Sequence, residues 1–188
     1  MKKIYLFLFI ILVSCNSNIN LNNDDLTANQ KFIKNCFDKS LYYSKIYPDS
    51  LSYLAKILEK KALNENENFQ AMTAYFKAID FKKNSSFELS LKQYEKMFLL
   101  LKTSKNDTLK AYAFSGKGSY YNYIGDYPKA FENYFKALKI FELNKMTEKV
   151  GFTNSNIGEV YMKKDDLITA KKYLISATIN LESKKNKI

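Results

Sequence analysis

The 188-residue chain has no histidine, arginine or tryptophan, and only two cysteines, two prolines and five glycines. Without histidine it lacks the commonest general base, the usual triad partner and the best zinc ligand. Cys15 and Cys36 alone build neither a Cys–His dyad nor a thiolate-rich metal centre. The formal charge of +11 rests entirely on lysine, so the planar fork that reads guanine or clasps phosphate is missing. The lysines are scattered among Asn and Glu, which points away from nucleic acid as a partner and towards a solvated surface with mild attraction to anionic headgroups. Scarce proline and glycine leave long stretches of Leu, Ala, Lys, Glu, Phe and Tyr. These predict a mostly helical protein.

The amino terminus reads as an export signal, residues 1–14. Lys2 and Lys3 precede an apolar run from Ile4 to Val13 and then small Ser14. The run is too short for a membrane-spanning helix, which needs about 20 residues. The segment Leu12-Val13-Ser14-Cys15 resembles the lipobox of bacterial lipoproteins. That resemblance implies acylation of Cys15, cleavage before it and a mature protein held on a membrane of the cell envelope, facing the periplasm or cell exterior. With Cys15 alkylated, no intrachain disulfide forms, and Cys36 reads as a buried, inert thiol. Residues 15–25, polar and without helical periodicity, read as a flexible tether.

From residue 26 onward the chain repeats itself at a spacing of forty: Gly118, Tyr121, Ala130 and Ala137 recur as Gly158, Tyr161, Ala170 and Ala177. Small residues let two helices approach closely while the aromatics fill the space beside them. Pro48 and Pro128 fall at predicted helix starts, where the missing donor is harmless. Residues 111–150 resemble a tetratricopeptide repeat, with Phe114, Gly118, Tyr121, Ala130, Tyr134 and Ala137 at the family's aromatic and small positions and Gly125-Asp126-Tyr127 at its turn. Lys117 departs from the family's leucine. Residues 151–188 match with Ile157, Gly158, Tyr161, Ala170, Leu174 and Ala177, but carry Asn154 in place of the first aromatic. Residues 71–110 match more loosely, through Ala78, Phe81, Phe87, Ser90, Tyr94 and Met97, and residues 31–70 form a degenerate copy. The resemblance implies an all-α fold of antiparallel helix hairpins stacked as a right-handed solenoid, displaying a surface for a protein or peptide. The period of forty predicts helices longer than the family standard.

The remaining motifs do not build an active site. Asp165-Asp166 reads as a helix cap and Asp24-Asp25 as part of the tether, so neither pair faces across a cleft. Gly116-Lys117-Gly118-Ser119 lacks the spacing of a phosphate loop. The sequence therefore predicts no catalysis, no cofactor and no metal site.

In such stacks the first helix of each pair lines the concave face. By resemblance the ligand groove comprises Met72, Tyr75, Phe76 and Ile79 from one copy, Tyr112, Ser115, Ser119 and Asn122 from the next, and Ser155, Asn156, Glu159 and Met162 from the last. In the final helix an inward stripe of Leu167, Ala170, Leu174, Ala177 and Leu181 is accompanied by a second apolar stripe, Ile168, Ile175 and Ile179. That second stripe predicts contact with another protomer or protein, or a shortened relative of a longer chain. Two functional expectations follow: a non-catalytic binding scaffold at the envelope, or the sensor fragment of a membrane signalling or transcriptional regulator without its output domain.

Overall fold

A computed structural model describes residues 26–185, with side chains as far as Glu182. The expected export signal, Cys15 and the tether lie outside the described residues. Among the described residues there are nine α-helices and no strand: α1 Ala28–Asp38, α2 Ser40–Ile46, α3 Pro48–Ala62, α4 Glu67–Lys83, α5 Phe87–Leu100, α6 Asp107–Tyr123, α7 Tyr127–Leu143, α8 Thr147–Lys163 and α9 Leu167–Lys185. None of them is long and apolar enough to cross a membrane.

Local chemistry sets the helix ends. Thr27 accepts from the Gln30 amide while the Gln30 side chain accepts from the Thr27 amide, a reciprocal capping box on α1. Asn66, Asn106, Asp126 and Asp166 accept first-turn amides of α4, α6, α7 and α9. Pro48 and Pro128 stand in the first turns of α3 and α7, as their sequence positions predict. Three hairpin turns, α4–α5, α6–α7 and α8–α9, share one geometry at a spacing of forty residues. Ser85, Gly125 and Asp165 have φ of 57°, 80° and 61°, and the next amide donates to the carbonyl of Phe81, Tyr121 or Tyr161 at 2.8, 2.9 and 3.0 Å. This is the Schellman closure of a helix end, which requires a left-handed residue that glycine fills without strain.

The hairpins α4–α5, α6–α7 and α8–α9 stack in series, each against the next through α5–α6 and α7–α8. Helix α4 also meets α6, and α6 meets α8, whereas the partners α5, α7 and α9 do not touch one another to the same extent. The stack is therefore closer-packed along α4, α6 and α8, which puts those helices on its inner face, as the sequence predicts. The expected degenerate first copy is not a simple hairpin. Lys39, at φ −97° and ψ 8°, breaks the chain between α1 and α2, Pro48 starts α3, and α1 and α2 both lie against α3 and α4.

Small and bulky residues pack in register. A Cβ on Gly118 would meet the Tyr134 ring at 2.6 Å, and one on Gly158 would meet Leu174, forty residues further on, at 2.9 Å. Gly116 gives way to the Tyr94 ring across the junction of two hairpins, where a Cβ would come within 2.1 Å. The Gly-Lys-Gly-Ser run is thus the packing seam of α6. Lys117 between them lays its ammonium 5.7 Å from the Phe98 ring and 3.9 Å from Glu95, so its stem covers an aromatic that a leucine would otherwise cover. Asn154, which replaces an aromatic, is buried and donates to Ser176 Oγ at 3.0 Å. Cys36 is fully buried and desolvation pushes its thiol up to about 12, with Lys39 opposing, the inert thiol that the sequence predicts.

Candidate functional site

A cleft of 710 Å³ opens on the inner face, within the size range of ligand sites. Its floor is aromatic. Phe37 from α1, Tyr75 from α4 and Tyr112 from α6 meet edge to face, with ring centroids 5.1 Å (Phe37–Tyr75), 4.9 Å (Phe37–Tyr112) and 5.2 Å (Tyr75–Tyr112) apart. Such pairs contribute about 0.5–1.5 kcal/mol each beyond area burial, and Tyr94 and Phe141 back them at 6.3 and 5.4 Å. One wall is the end of α1 with α2, presenting Asp38, Ser40, Leu41, Tyr42 and Lys45. The other is the α7–α8 turn with the first turns of α8: Asn144, Lys145, Met146, Thr147, Glu148, Lys149 and Phe152.

The local sequence explains both walls. The break at Lys39 and the stop at Pro48 leave α2 only seven residues long, enough to turn Leu41 and Tyr42 to the rim, where they are partly exposed. Opposite, Lys145 takes the left-handed conformation at φ 54°, and Met146 donates to the Phe141 carbonyl at 2.9 Å. This fixes the entry of α8, so that Lys149 holds its ammonium 5.4 Å from the Tyr112 ring and 5.9 Å from that of Phe152.

Burial sets the electrostatics. It pushes the Tyr75 phenol well above its ordinary pKa, with Tyr94 and Tyr112 adding to the rise and a hydrogen bond with Ser40 opposing it. Tyr112 is raised by burial and then by the negative charges of Asp38 and Glu148. Both phenols therefore stay neutral through the physiological range. The Asp38 carboxyl is raised by burial against the opposing pull of Lys34, whose ammonium lies 3.3 Å away. The cleft thus combines a rigid apolar floor with a rim of both signs: Lys45, Lys145 and Lys149 against Asp38 and Glu148. That chemistry suits contact with a side chain or extended segment carrying polar groups. Among the described residues no group of three or more His, Cys, Asp or Glu is placed to hold a metal ion.

Of the groove predicted from sequence, Tyr75 and Tyr112 form this floor. Met72 and Phe76 do not line a surface: both are fully buried, and Ile79 nearly so. The reason is that α1 and α2 cover that side of α4, with Tyr43 packing its ring 6.3 Å from Phe76. Ser119, Asn122 and Glu159 are held in side-chain hydrogen bonds, with Asn122 buried, Ser119 half-buried and Glu159 exposed at the surface. Ser119 accepts from the Tyr134 hydroxyl at 3.3 Å, and Asn122 donates to Glu159 at 3.1 Å while accepting from Lys163 at 3.0 Å. Ser115, Ser155 and Asn156 are half-buried, and Met162, half exposed, lies at the far end against Leu167 and Leu174. Sequence reasoning missed both walls. Their only local signal is the Asn144-Lys145-Met146 turn, which closes one hairpin and opens the next.

No protein-family model, curated protein or solved structure matches this chain.

Proposed function

We propose that the chain is a tetratricopeptide-like binding scaffold, carried as a lipoprotein at the bacterial cell envelope, whose aromatic-floored cleft receives a segment of a protein or peptide partner without chemical conversion. The observation that carries this reading is the meeting of Phe37, Tyr75 and Tyr112, from three separate helices, at the base of an open cleft on the inner face. Support for the repeat assignment is the forty-residue register in which Gly118 faces Tyr134 and Gly158 faces Leu174. Support for the envelope location is the run from Lys2 through Cys15. Binding without turnover is favoured because the chain has no histidine and the cleft phenols are held neutral.

Crosslinking from intact membranes tests the proposal, comparing the natural chain with Cys15→Ala and with Phe152→Glu, which puts a carboxylate on the exposed rim. A partner captured by the natural chain and lost with both variants is the expected result. A partner set unchanged by Cys15→Ala contradicts the membrane-local scaffold, and one unchanged by Phe152→Glu contradicts the cleft.

A further inference from the structure

The two ends of the stack differ in chemistry. One end carries the hairpin turns α4–α5, α6–α7 and α8–α9, and the other carries the connections α3–α4, α5–α6 and α7–α8 together with the start of α1. Side chains fix that start in place: Lys61 donates to Asn29 Oδ1 at 2.8 Å, and Gln30 donates to Glu65 at 2.7 Å. Nearby, Ser104 of the α5–α6 connection donates to Asn68 in the first turn of α4 at 3.0 Å. The hairpin-turn end is acidic, with Asp126, Asp165 and Asp166 in its connections against Lys164. The α1 end is basic, with Lys102, Lys105 and Lys145 against Glu65. This basic end also carries the three most exposed leucines among the described residues: Leu63, Leu99 and Leu143, at 71, 76 and 73%, where α3, α5 and α7 finish. Each follows an exposed lysine by about one turn, Lys60, Lys96 and Lys139. Leu99 and Leu143 stand two residues after buried Met97 and Phe141, about 200° around the helix, so they face away from the core.

We propose that the α1 end is a membrane-docking face, whose leucines enter the boundary between headgroups and acyl chains of an anionic bilayer while its lysines meet the lipid phosphates. The inference rests on the lipoprotein reading, and the connectivity of the chain selects the end. Leu26 packs against the core just ahead of α1, and residues 16–25 join it to Cys15 over a reach of at most about 40 Å. Docking through the opposite end would take up about 25 Å of that reach, the length of a 17-residue helix such as α6. It would also set acidic turns against anionic headgroups. A leucine with a lysine one turn behind it suits the interface, because the apolar tip reaches inward while the lysine stem lies beside it and the ammonium returns to the phosphates. Each lysine near such a surface favours the docked state about fivefold. Three separate leucines bury too little area to hold the protein by themselves, so the acyl anchor keeps the chain at the surface and this face sets its orientation.

The test places a fluorophore on single introduced cysteines of the full chain, purified from bacterial membranes and reconstituted in vesicles of phosphatidylethanolamine and phosphatidylglycerol. Cys36 is fully buried and Cys15 is acylated in this reading, so only the introduced thiol takes the label. Leu99→Cys and Leu143→Cys are expected to be quenched about threefold more than Ile124→Cys, at the opposite end, by lipids bearing a nitroxide high on the acyl chain. Lys102→Glu combined with Lys105→Glu is expected to lower the docked-to-undocked ratio read at Leu143→Cys by about fivefold or more. Replacing phosphatidylglycerol by phosphatidylcholine is expected to act in the same direction. Circular dichroism of each variant confirms native helix content. Equal quenching at Leu99→Cys and Ile124→Cys, or quenching indifferent to the two lysine reversals, overturns the inference and leaves the anchor standing. Label taken up by the natural chain shows Cys15 to be free, which overturns the anchor and the docking face together.

Discussion

Replacing Gly118 by alanine adds a methyl carbon 2.6 Å from Cδ1, 2.7 Å from Cε1 and 3.0 Å from Cγ of Tyr134. Two opposed effects meet here. Alanine is favoured over glycine inside a helix by about 1 kcal/mol. Overpacking a filled site costs about 1–3 kcal/mol, and Tyr134 has nowhere to retreat: it is 1% exposed and its hydroxyl is held by Ser119. Steric conflict is expected to win, with a net loss of about 1–2 kcal/mol, or roughly 3–6 °C in melting temperature for a domain of this size. Tyr134→Ala removes Cδ1, Cε1 and Cγ, all three atoms in conflict. In that background Gly118→Ala is expected to become stabilising by up to about 1 kcal/mol, because only helix propensity remains. A double-mutant cycle by urea denaturation, followed at 222 nm, measures the coupling. A Gly118→Ala cost that is absent, or identical in both backgrounds, refutes the close-approach account of the repeat.

Ser85 and Gly125 occupy equivalent left-handed turns, so Ser85→Gly is expected to stabilise and Gly125→Ala to destabilise the fold by about 1 kcal/mol each in the same denaturation assay. Cys36, measured in the Cys15→Ala chain, is expected to react with iodoacetamide at pH 8 about a thousandfold more slowly than an unhindered thiol, and to reach the free rate in urea. The buried phenols predict alkaline instability. The folded state keeps Tyr94 and Tyr134 protonated up to about 12, while the unfolded chain releases those protons from about 10. Stability is therefore undiminished below that value and falls as pH rises through the window, and Tyr94→Phe is expected to shallow the slope by up to about 1.4 kcal/mol per pH unit.

Sequence reading succeeds here wherever one residue's role is decided by its neighbours along a helix or within one hairpin. The spacing of Gly118 and Gly158 marks where helices come together, and Pro48, Pro128 and Asp166 punctuate helices through backbone chemistry alone. The cleft was legible only in part because its walls come from segments far apart in the chain. Tyr75 and Tyr112 follow from the inner-face periodicity, but that periodicity equally nominates Met72 and Phe76. Only the folding of α1 and α2 across α4, where Tyr43 reaches Phe76, decides that those two are core. The same step brings Phe37 over Tyr112, a contact that no local pattern encodes. Leu167, placed by spacing in the inward stripe of α9, is 61% exposed for a related reason: Tyr127, forty residues earlier, packs against the cluster that includes Ile157 and Val160 of the next hairpin, and among the described residues no further hairpin lies against Leu167.

Site-specific photocrosslinking in intact membranes tests the cleft most directly, with a photoreactive side chain placed at Tyr42 on one rim, at Phe152 on the other, and at exposed Lys96 on α5 as a control. The account predicts that the two rim positions capture one and the same segment of a single polypeptide partner, and that Lys96 captures none of it. Capture of that segment equally from Lys96, or of unrelated molecules from the two rims, would contradict a binding cleft on the inner face of the stack.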